Sequence, residues 1–360
     1  MRLFRSRYQK RARQTGCLIQ TTPSAGLIPG PPPVLLPADT CGRWGLMTNL
    51  ALVGDIGGTN ARFGLMELGS SNVRDVEVLK GTDFPTLEAV IAHYLEKRGI
   101  TELAAAAVDV AAPVDRQVIR LTNRDWSFSK ESLRSAAKAE RFLLLNDFEA
   151  LAWSLPHIAK ADLVQIGGDA KDTRLVKVVL GPGTGLGMAT LAPLPGGGWM
   201  PIAGEGGHVT LPIKTAEEFA LKDKIMGKDQ FCEVEDILTG PGLLLLYNTI
   251  SPTRGLQTPE QVMKAGLAGT DMAAAKALDH FMTFLMRLAG DMAMAIQARG
   301  GLYLAGGIVP SLVEKLKATQ YRQVFEEKGR LSQHMKTIPV YVITDPFPAL
   351  KGCAAALNAT

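Results

Sequence analysis

Short apolar runs alternate with amphipathic stretches along most of this chain, and each kind of stretch predicts its own secondary structure. Apolar runs bounded by turn residues predict buried strands. These strands are expected at 50–54, 61–66, 104–114, 142–145, 176–180, 188–192 and 302–305. Helical periodicity and terminal signals predict helices at 86–98, from 147 onward, at about 271–298 and beyond Pro310. The alternation predicts an α/β fold with mixed sheets.

Two glycine-rich blocks, GDIGGTN at 54–60 and GPGTGLG at 181–187, each separate one predicted strand from the next. Glycine tolerates positive φ, so such turns can direct several backbone N–H groups at one anion. An ordinary hairpin explains a single turn of this kind equally well. Two of them, with Asp55 at the end of the first strand, favour a nucleotide held between two halves of the molecule. Their spacing excludes a Walker loop and a Rossmann fingerprint.

The distribution of charge separates the first 46 residues from the rest. The 360 residues can form two domains, and 46% hydrophobic and 21% charged residues are ordinary for a globular α/β protein. Residues 1–46 contain seven Lys and Arg and one acidic residue, which leaves residues 47–360 with a formal charge of −2. The body of the chain therefore lacks the basic charge typical of nucleic-acid binding. The leader is interpreted as a transit peptide or, preferably, as a stretch upstream of the true start at Met47, and is expected to be poorly ordered.

The cysteines and the apolar stretches predict where in the cell the protein is located. The four cysteines have no metal-ligand spacing, which is typical of a reducing cytosol and predicts a cytoplasmic protein. They are Cys17, Cys41, Cys232 and Cys353. The longest uncharged stretch, 178–204, has 27 residues but contains eight Gly and four Pro, so no membrane span is expected.

Four further clusters carry groups suited to chemistry. Asp147 follows a short buried strand and begins a helix, where it could take a proton from a hydroxyl or act as the helix N-cap. In GEGGHV, Glu205 and His208 could bind neighbouring hydroxyls, and they are too few for a metal site. Glu235 is either a site residue or a surface acid. Gly306–Gly307 offer a flat surface for a purine, although simple close packing explains this pair equally well.

Eight blocks, in their order and spacing, resemble the bacterial glucokinase family. They are GDIGGTNARF, LTNRDWSFS, LLLNDF, GPGTGLG, GEGGHV, ILTGPG, LYLAGGIVP and IPVYVITD. The resemblance covers residues 48–360 and implies the hexokinase/actin-like ATPase fold, with a cleft between two RNase H-like α/β domains. The smaller domain would comprise 48–157 and 346–360, and the larger 158–345. The ROK sugar kinases share an ExGH block, but their CxCGxxGCxE zinc motif is absent from this sequence.

The resemblance also implies phosphorylation of D-glucose at its C6 hydroxyl, with ATP and Mg²⁺ as cofactors. Asp147 would be the catalytic base. The sugar ligands would be Asn146, Glu205, His208 and Glu235. The nucleotide would be held by Asp55, Gly57, Gly58, Thr59, Asn60, Gly183, Thr184, Gly185, Gly306 and Gly307, and Asp55 would hold Mg²⁺ through water. A homodimer is expected, with neither nucleic acid nor membrane as a partner.

Two other classes share parts of this pattern. A sugar-sensing or chaperone-type ATPase of the same fold would keep both phosphate turns without needing a base that faces a polyol. A sugar-binding regulator would need a DNA-binding domain, and the Pro-rich leader is too short to form one.

Overall fold

The computed structural model describes residues 49–121, 124–169 and 174–360. The interpretation of the leader, residues 1–46, lies outside this part of the chain. The strands are β1 (Leu50–Ile56), β2 (Asn60–Glu67), β3 (Arg74–Lys80), β4 (Leu103–Val110), β5 (Ile119–Arg120), β6 (Ser127–Phe128), β7 (Ala139–Asn146), β8 (Leu163–Gly167), β9 (Lys177–Pro182), β10 (Leu186–Pro193), β11 (Trp199–Gly204), β12 (Leu302–Leu304) and β13 (Val340–Ile343).

The helices are interspersed with the strands along the chain. They are α1 (Leu87–Glu96), α2 (Lys130–Ala136), α3 (Asp147–Ser154), α4 (Ala216–Met226), α5 (Gly240–Ile250), α6 (Pro259–Ala268), α7 (Met272–Ile296), α8 (Val313–Leu316), α9 (Thr319–Glu326), α10 (Ser332–Lys336) and α11 (Pro348–Ala359). Among the described residues, none of these helices has both the length and the apolar composition needed to cross a membrane.

Two mixed sheets form the frame of the molecule, which confirms the α/β prediction. The first has the order β3-β2-β1-β4-β7, and the second β11-β10-β9-β12-β13-β8. In both sheets the first two pairs are antiparallel and the next two are parallel. The two glycine blocks connect the equivalent antiparallel strands, β1 with β2 and β9 with β10. The predicted strand–turn–strand units are therefore confirmed.

Both faces of each sheet are covered, because neighbouring strand residues point to opposite sides. In β1, Leu52 packs in the cluster that contains residues of α1, whereas Val53 packs in the cluster of α11. In β9, Val178 belongs to the cluster of α5, α6 and α7, and Val179 packs with residues of α3. Parallel strands buried on both faces read as continuous apolar runs, which is why the sequence pattern revealed them.

Helix α3 packs against both sheets. Its Ala150 belongs to the cluster of the first sheet and α11, while its Ala152 belongs to the cluster of the second sheet. Gly352 of α11 approaches α3 so closely that a Cβ atom there would overlap the carbonyl of Ala150. The start of α3 is consequently fixed relative to both sheets.

Two predicted boundaries are wrong. The strand expected at 104–114 ends at Val110. The N–H of Ala112 turns back to donate to Val110 O at 2.9 Å, and Pro113 has no N–H with which to resume the ladder. The helix expected after Gly306–Gly307 is a 3₁₀ turn, Val309–Leu312, followed by the single-turn helix α8. Apolar composition marked both segments correctly as buried chain but did not determine where regular hydrogen bonding stops.

Candidate active site

Three carboxylates lie at the carboxyl ends of the three parallel strands of the first sheet. Asp55 of β1 and Asp109 of β4 are directly paired in register. Asp147 follows β7, whose last residue, Asn146, is paired with Val110. The carboxyl ends of parallel strands are the usual place for ligands in open α/β sheets. The sequence predicted two of these carboxylates and missed Asp109, although an acid inside the apolar run AAAAVDVAAPV was a visible signal.

Asp147 occupies the first turn of α3 but does not cap it. The cap is Asn146, whose Oδ1 accepts hydrogen bonds from the N–H groups of Phe148 at 3.0 Å and Glu149 at 3.3 Å. Asp147 Oδ1 also accepts from Phe148 N at 3.0 Å. Burial raises the pKa of Asp147 to about 6, against the lowering effect of that backbone hydrogen bond. The group is thus an ionised carboxylate near neutral pH with an increased affinity for a proton.

Asp55 forms an ion pair that sequence reasoning did not anticipate. Its Oδ2 lies 3.0 Å from Arg62 Nη1, and both side chains are partly exposed. Burial raises the pKa of Asp55, and Arg62 opposes this shift. Because the carboxylate of Asp55 is partly exposed, it can exchange the guanidinium group of Arg62 for another cation.

Asp109 lies beside Asp55 on the neighbouring strand and is fully buried. Its Oδ2 accepts a hydrogen bond from Cys353 Sγ at 3.4 Å, and its Oδ1 has no hydrogen-bond partner among the described residues. Burial, together with the charges of Asp55 and Asp147, raises the pKa of Asp109 well above its usual range. The surroundings of Asp109 therefore favour the protonated form of its carboxyl group over the ionised form.

The first glycine turn is a tight hairpin with an exposed tip. Gly57 N donates to Asn60 O at 3.0 Å, and Thr59 O accepts from Gly81 N at 3.1 Å. Gly58 and Thr59, at the tip, are exposed. The backbone of residues 58–59 is therefore accessible at the end of the strand that carries Asp55.

The second glycine turn lies against the residue that follows Asp147. Gly183 N donates to Gly185 O at 2.8 Å, and Gly183 O accepts from Gly240 N at 2.9 Å. A Cβ atom on Gly187, just beyond the turn, would overlap the ring of Phe148. The exposed Thr184 at the tip is thus connected through this packing to the start of α3.

Glu235 bridges the second turn and the GEGGHV loop. Its Oε2 accepts from Leu186 N at 2.7 Å. Its own N–H donates to Gly207 O at 2.9 Å. One carboxylate oxygen therefore holds the turn, so Glu235 is a positioning residue as well as a candidate ligand.

Glu205 and His208 lie on the exposed side of the same loop. His208 Nδ1 is 2.7 Å from Glu233 Oε2, and His208 Nε2 is 3.9 Å from Glu205 Oε2. The hydrogen bond with Glu233 raises the pKa of His208. The side chain of Glu205 is 83% exposed and that of His208 is 55% exposed, so both can reach a polar ligand. Glu233, which fixes the imidazole, was missed because its only signal was its proximity to Glu235.

Gly306–Gly307 lie beside the second turn, because β12 and β9 are parallel neighbours. Gly306 has a φ of 89°, and a Cβ atom there would lie 2.5 Å from Pro182 O. Nothing lies within 4 Å of a Cβ atom on Gly307. The pair therefore combines one tightly packed glycine with one that faces open space.

Comparison with known proteins identifies the family. The glucokinase family model matches residues 52–360. A glucokinase of Chromobacterium violaceum is 39% identical over 310 residues, covering 85% of this chain and 88% of that protein. The chain belongs to the glucokinase family.

Solved structures agree with this assignment. The crystal structure of a glucokinase from an Antarctic psychrotroph matches with a TM-score of 0.77 and 29% identity, over 87% of this chain and 99% of that one. A glucokinase of Balamuthia mandrillaris, crystallised in complex with glucose, has a TM-score of 0.71 and 23% identity over 87% and 94% of the two chains. The fold is the mixed α/β, hexokinase-like fold of these sugar kinases.

The carboxylates of this glucokinase-family site fit Mg²⁺ better than a fully protein-bound metal. Among the described residues no three His, Cys, Asp or Glu side chains form a metal-binding group. Mg²⁺ commonly keeps several waters and takes one or two protein carboxylates plus substrate phosphates. Asp55, a partly exposed oxygen donor beside the first turn, meets that requirement.

Proposed function

We propose that this chain transfers the γ-phosphoryl group of ATP to the C6 hydroxyl of D-glucose, giving glucose 6-phosphate and ADP. The observation that carries the proposal is the position of Asp147: a half-buried carboxylate at the start of α3, near Asp55 and next to Phe148, which packs on the second glycine turn. Membership of the glucokinase family supports the same reaction.

The glycine turns are the proposed phosphate site. Phosphoryl transfer needs positioning and charge stabilisation more than covalent chemistry. Within residues 57–60 and 183–185, the backbone N–H groups that do not close the turns would hold the β- and γ-phosphates. Gly306–Gly307 would lie along the adenosine. Mg²⁺, held by Asp55 through water, would supply neutralising charge on the phosphates. The partly exposed tips of both turns support this assignment.

The sugar is proposed to bind between Asp147 and the GEGGHV loop. Asn146, Glu205, His208 and Glu235 would bind its hydroxyls, and Asp147 would accept the C6 proton as that oxygen attacks the γ-phosphorus. Asn146 Oδ1 already caps α3, so its amide nitrogen would be the group that donates to the sugar. The pKa of about 6 at Asp147 supports a base that is ionised near neutral pH.

The domain arrangement is part of the proposal. Residues 48–157 with 346–360 would form the smaller domain and residues 158–345 the larger, with the substrates in the cleft between them. Closure of the cleft would exclude water, which otherwise competes with the sugar as nucleophile. The matching strand order of the two sheets supports this division. The homodimer and the cytoplasmic location stay predictions.

A coupled assay of ADP release across a panel of hexoses tests the function. ADP release should require a hexose and be fastest with glucose. Galactose should be worse by roughly tenfold to a few hundredfold, because a misplaced hydroxyl leaves a buried polar group unpaired at a cost of about 1–3 kcal/mol. ADP release that is independent of any sugar would instead favour an ATPase of the same fold.

A further inference from the structure

Two carbonyl groups at the tip of the first glycine turn are bound by one arginine from a distant segment. Arg124 Nε donates to Gly58 O at 2.7 Å, and Arg124 Nη2 donates to Thr59 O at 2.8 Å. Both are short, charge-assisted hydrogen bonds made by the planar fork of a guanidinium group. The tip of the turn is thus fixed by a side chain outside β1 and β2.

The guanidinium group is itself held from two other sides. Its central carbon lies 4.6 Å from the centre of the Trp126 ring, which is buried. On another side it lies against Gly81, where a Cβ atom would overlap the guanidinium nitrogens. Gly81 N also donates to Thr59 O, so this carbonyl has two donors. These contacts leave the fork little freedom to move away from the turn.

The orientation of these carbonyls determines where the adjacent N–H groups point. In a trans peptide the C=O and the N–H of the same plane point in opposite directions. Gly58 O shares its plane with the N–H of Thr59, and Thr59 O shares its plane with the N–H of Asn60. Drawing both carbonyls toward Arg124 therefore turns these two N–H groups to the opposite side of the hairpin.

We propose that Arg124 is a positioning residue that sets the first glycine turn for the phosphates of ATP. It acts through the backbone of residues 58–60 and makes no contact with the transferred group. The inference rests on the proposed function, because it assumes that this turn binds phosphate. It also explains why the LTNRDWSFS block, which the catalytic assignment did not use, carries an arginine two residues before a tryptophan.

Three substitutions disrupt the contact between Arg124 and the first glycine turn in different ways. Arg124→Ala removes both hydrogen bonds. Arg124→Lys keeps the charge but cannot bond both carbonyls while stacking on Trp126. Gly81→Ala leaves the arginine in the sequence and displaces its guanidinium group. The control is Arg134→Ala, which removes an exposed arginine whose fork, within the described part of the chain, binds Glu131 of the same helix and the Glu140 carbonyl.

The main measurement is binding of the ATP analogue AMPPNP with Mg²⁺ by calorimetry, which needs no turnover. All three variants should weaken binding by roughly tenfold or more, since hydrogen bonds to a charged group are individually strong. In the coupled assay the KM for ATP should rise equally while the KM for glucose and the melting temperature stay near wild type. Arg134→Ala should change none of these values.

The outcomes separate the inference from the function on which it rests. Unchanged AMPPNP affinity in a folded Arg124→Ala protein would overturn the positioning role. Normal affinity in Arg124→Lys would overturn it too, because charge alone would then suffice, and so would equal losses in both KM values with a lower melting temperature. A wild type that binds AMPPNP but phosphorylates no hexose would instead contradict the proposed function.

Discussion

Asp147 is the proposed catalytic base, and its environment sets the pH range in which it can act. A base must be ionised to accept a proton, and the pKa of this carboxyl is raised to about 6 by burial. The ionised fraction grows as pH rises, so kcat should be lost as pH falls through about 6 and should level off above pH 7. A kcat profile with saturating glucose and ATP measures this. A profile that stays flat well below pH 6 would contradict the proposed role.

A substitution of Glu205 tests whether this residue acts on the binding of the sugar or of the nucleotide. We expect Glu205→Gln to raise the KM for glucose by roughly tenfold or more, since a charged partner is replaced by a neutral one. The KM for ATP should hardly move, because the exposed side chain of Glu205 is not among the groups proposed to bind the phosphates. Glu217→Gln, which removes an exposed acid paired with Lys276, is the matched control. Equal changes in both KM values would remove Glu205 from the sugar site.

The residues of the candidate site show what could and could not be predicted from the sequence. Asp55 and Asp147 were predictable because each ends an apolar run that reads as a strand. Arg62, Asp109 and Glu233 were missed, since their importance arises from partners that only the folded chain brings near: Asp55, Cys353 and His208. An ion pair or a buried carboxyl leaves no periodic pattern along the chain.

At the scale of elements, the packing of α3 on the second glycine turn supports the site. Gly187→Ala should force the ring of Phe148 away from β10, which costs about 1–3 kcal/mol of stability as an overpacked contact. The same shift should lower kcat, because Phe148 follows Asp147 directly. Denaturant unfolding and steady-state kinetics measure the two effects.

Gly255→Ala is the control for that substitution. Gly255 is exposed, and a Cβ atom there would make only ordinary contacts at 3.9 Å. It should therefore change neither stability nor kcat. If Gly187→Ala behaves like this control, the connection between the turn and α3 is wrong.

The reason for the glycines in the turns differs from the one that the sequence suggested. The expected advantage was positive φ, yet Gly57, Gly58, Gly183 and Gly185 all lie outside the left-handed region. Close approach explains Gly185, where a Cβ atom would lie 2.8 Å from Glu235 Oε2. It does not explain Gly57 or Gly183, where a Cβ atom would make only ordinary contacts at 3.6 Å and 3.8 Å. The turns were thus predicted at the right places in the chain for an incomplete reason, because tertiary contacts are not encoded in local turn propensity.

At the scale of the molecule, the repeated strand order was only partly visible in the sequence. The central strands of both sheets are continuous apolar runs, and their glycine turns were recognised as a pair. The outer strands β3 and β11 were not predicted, since most of their residues are exposed or only partly buried and their apolar signal is weak. The packing of α3 on both sheets depends on contacts between distant parts of the chain, which a reading of local periodicity does not provide.

The proposed reaction of this glucokinase-family chain depends on Asp147 as the base toward a bound sugar. Asp147→Asn tests this most directly, because the amide keeps the shape and hydrogen bonding of the side chain but cannot accept the proton. We predict that kcat falls by roughly 10²–10⁴ while glucose affinity, measured by calorimetry on the same protein, is largely retained. Turnover near the wild-type value in the folded variant would show that Asp147 is not the base.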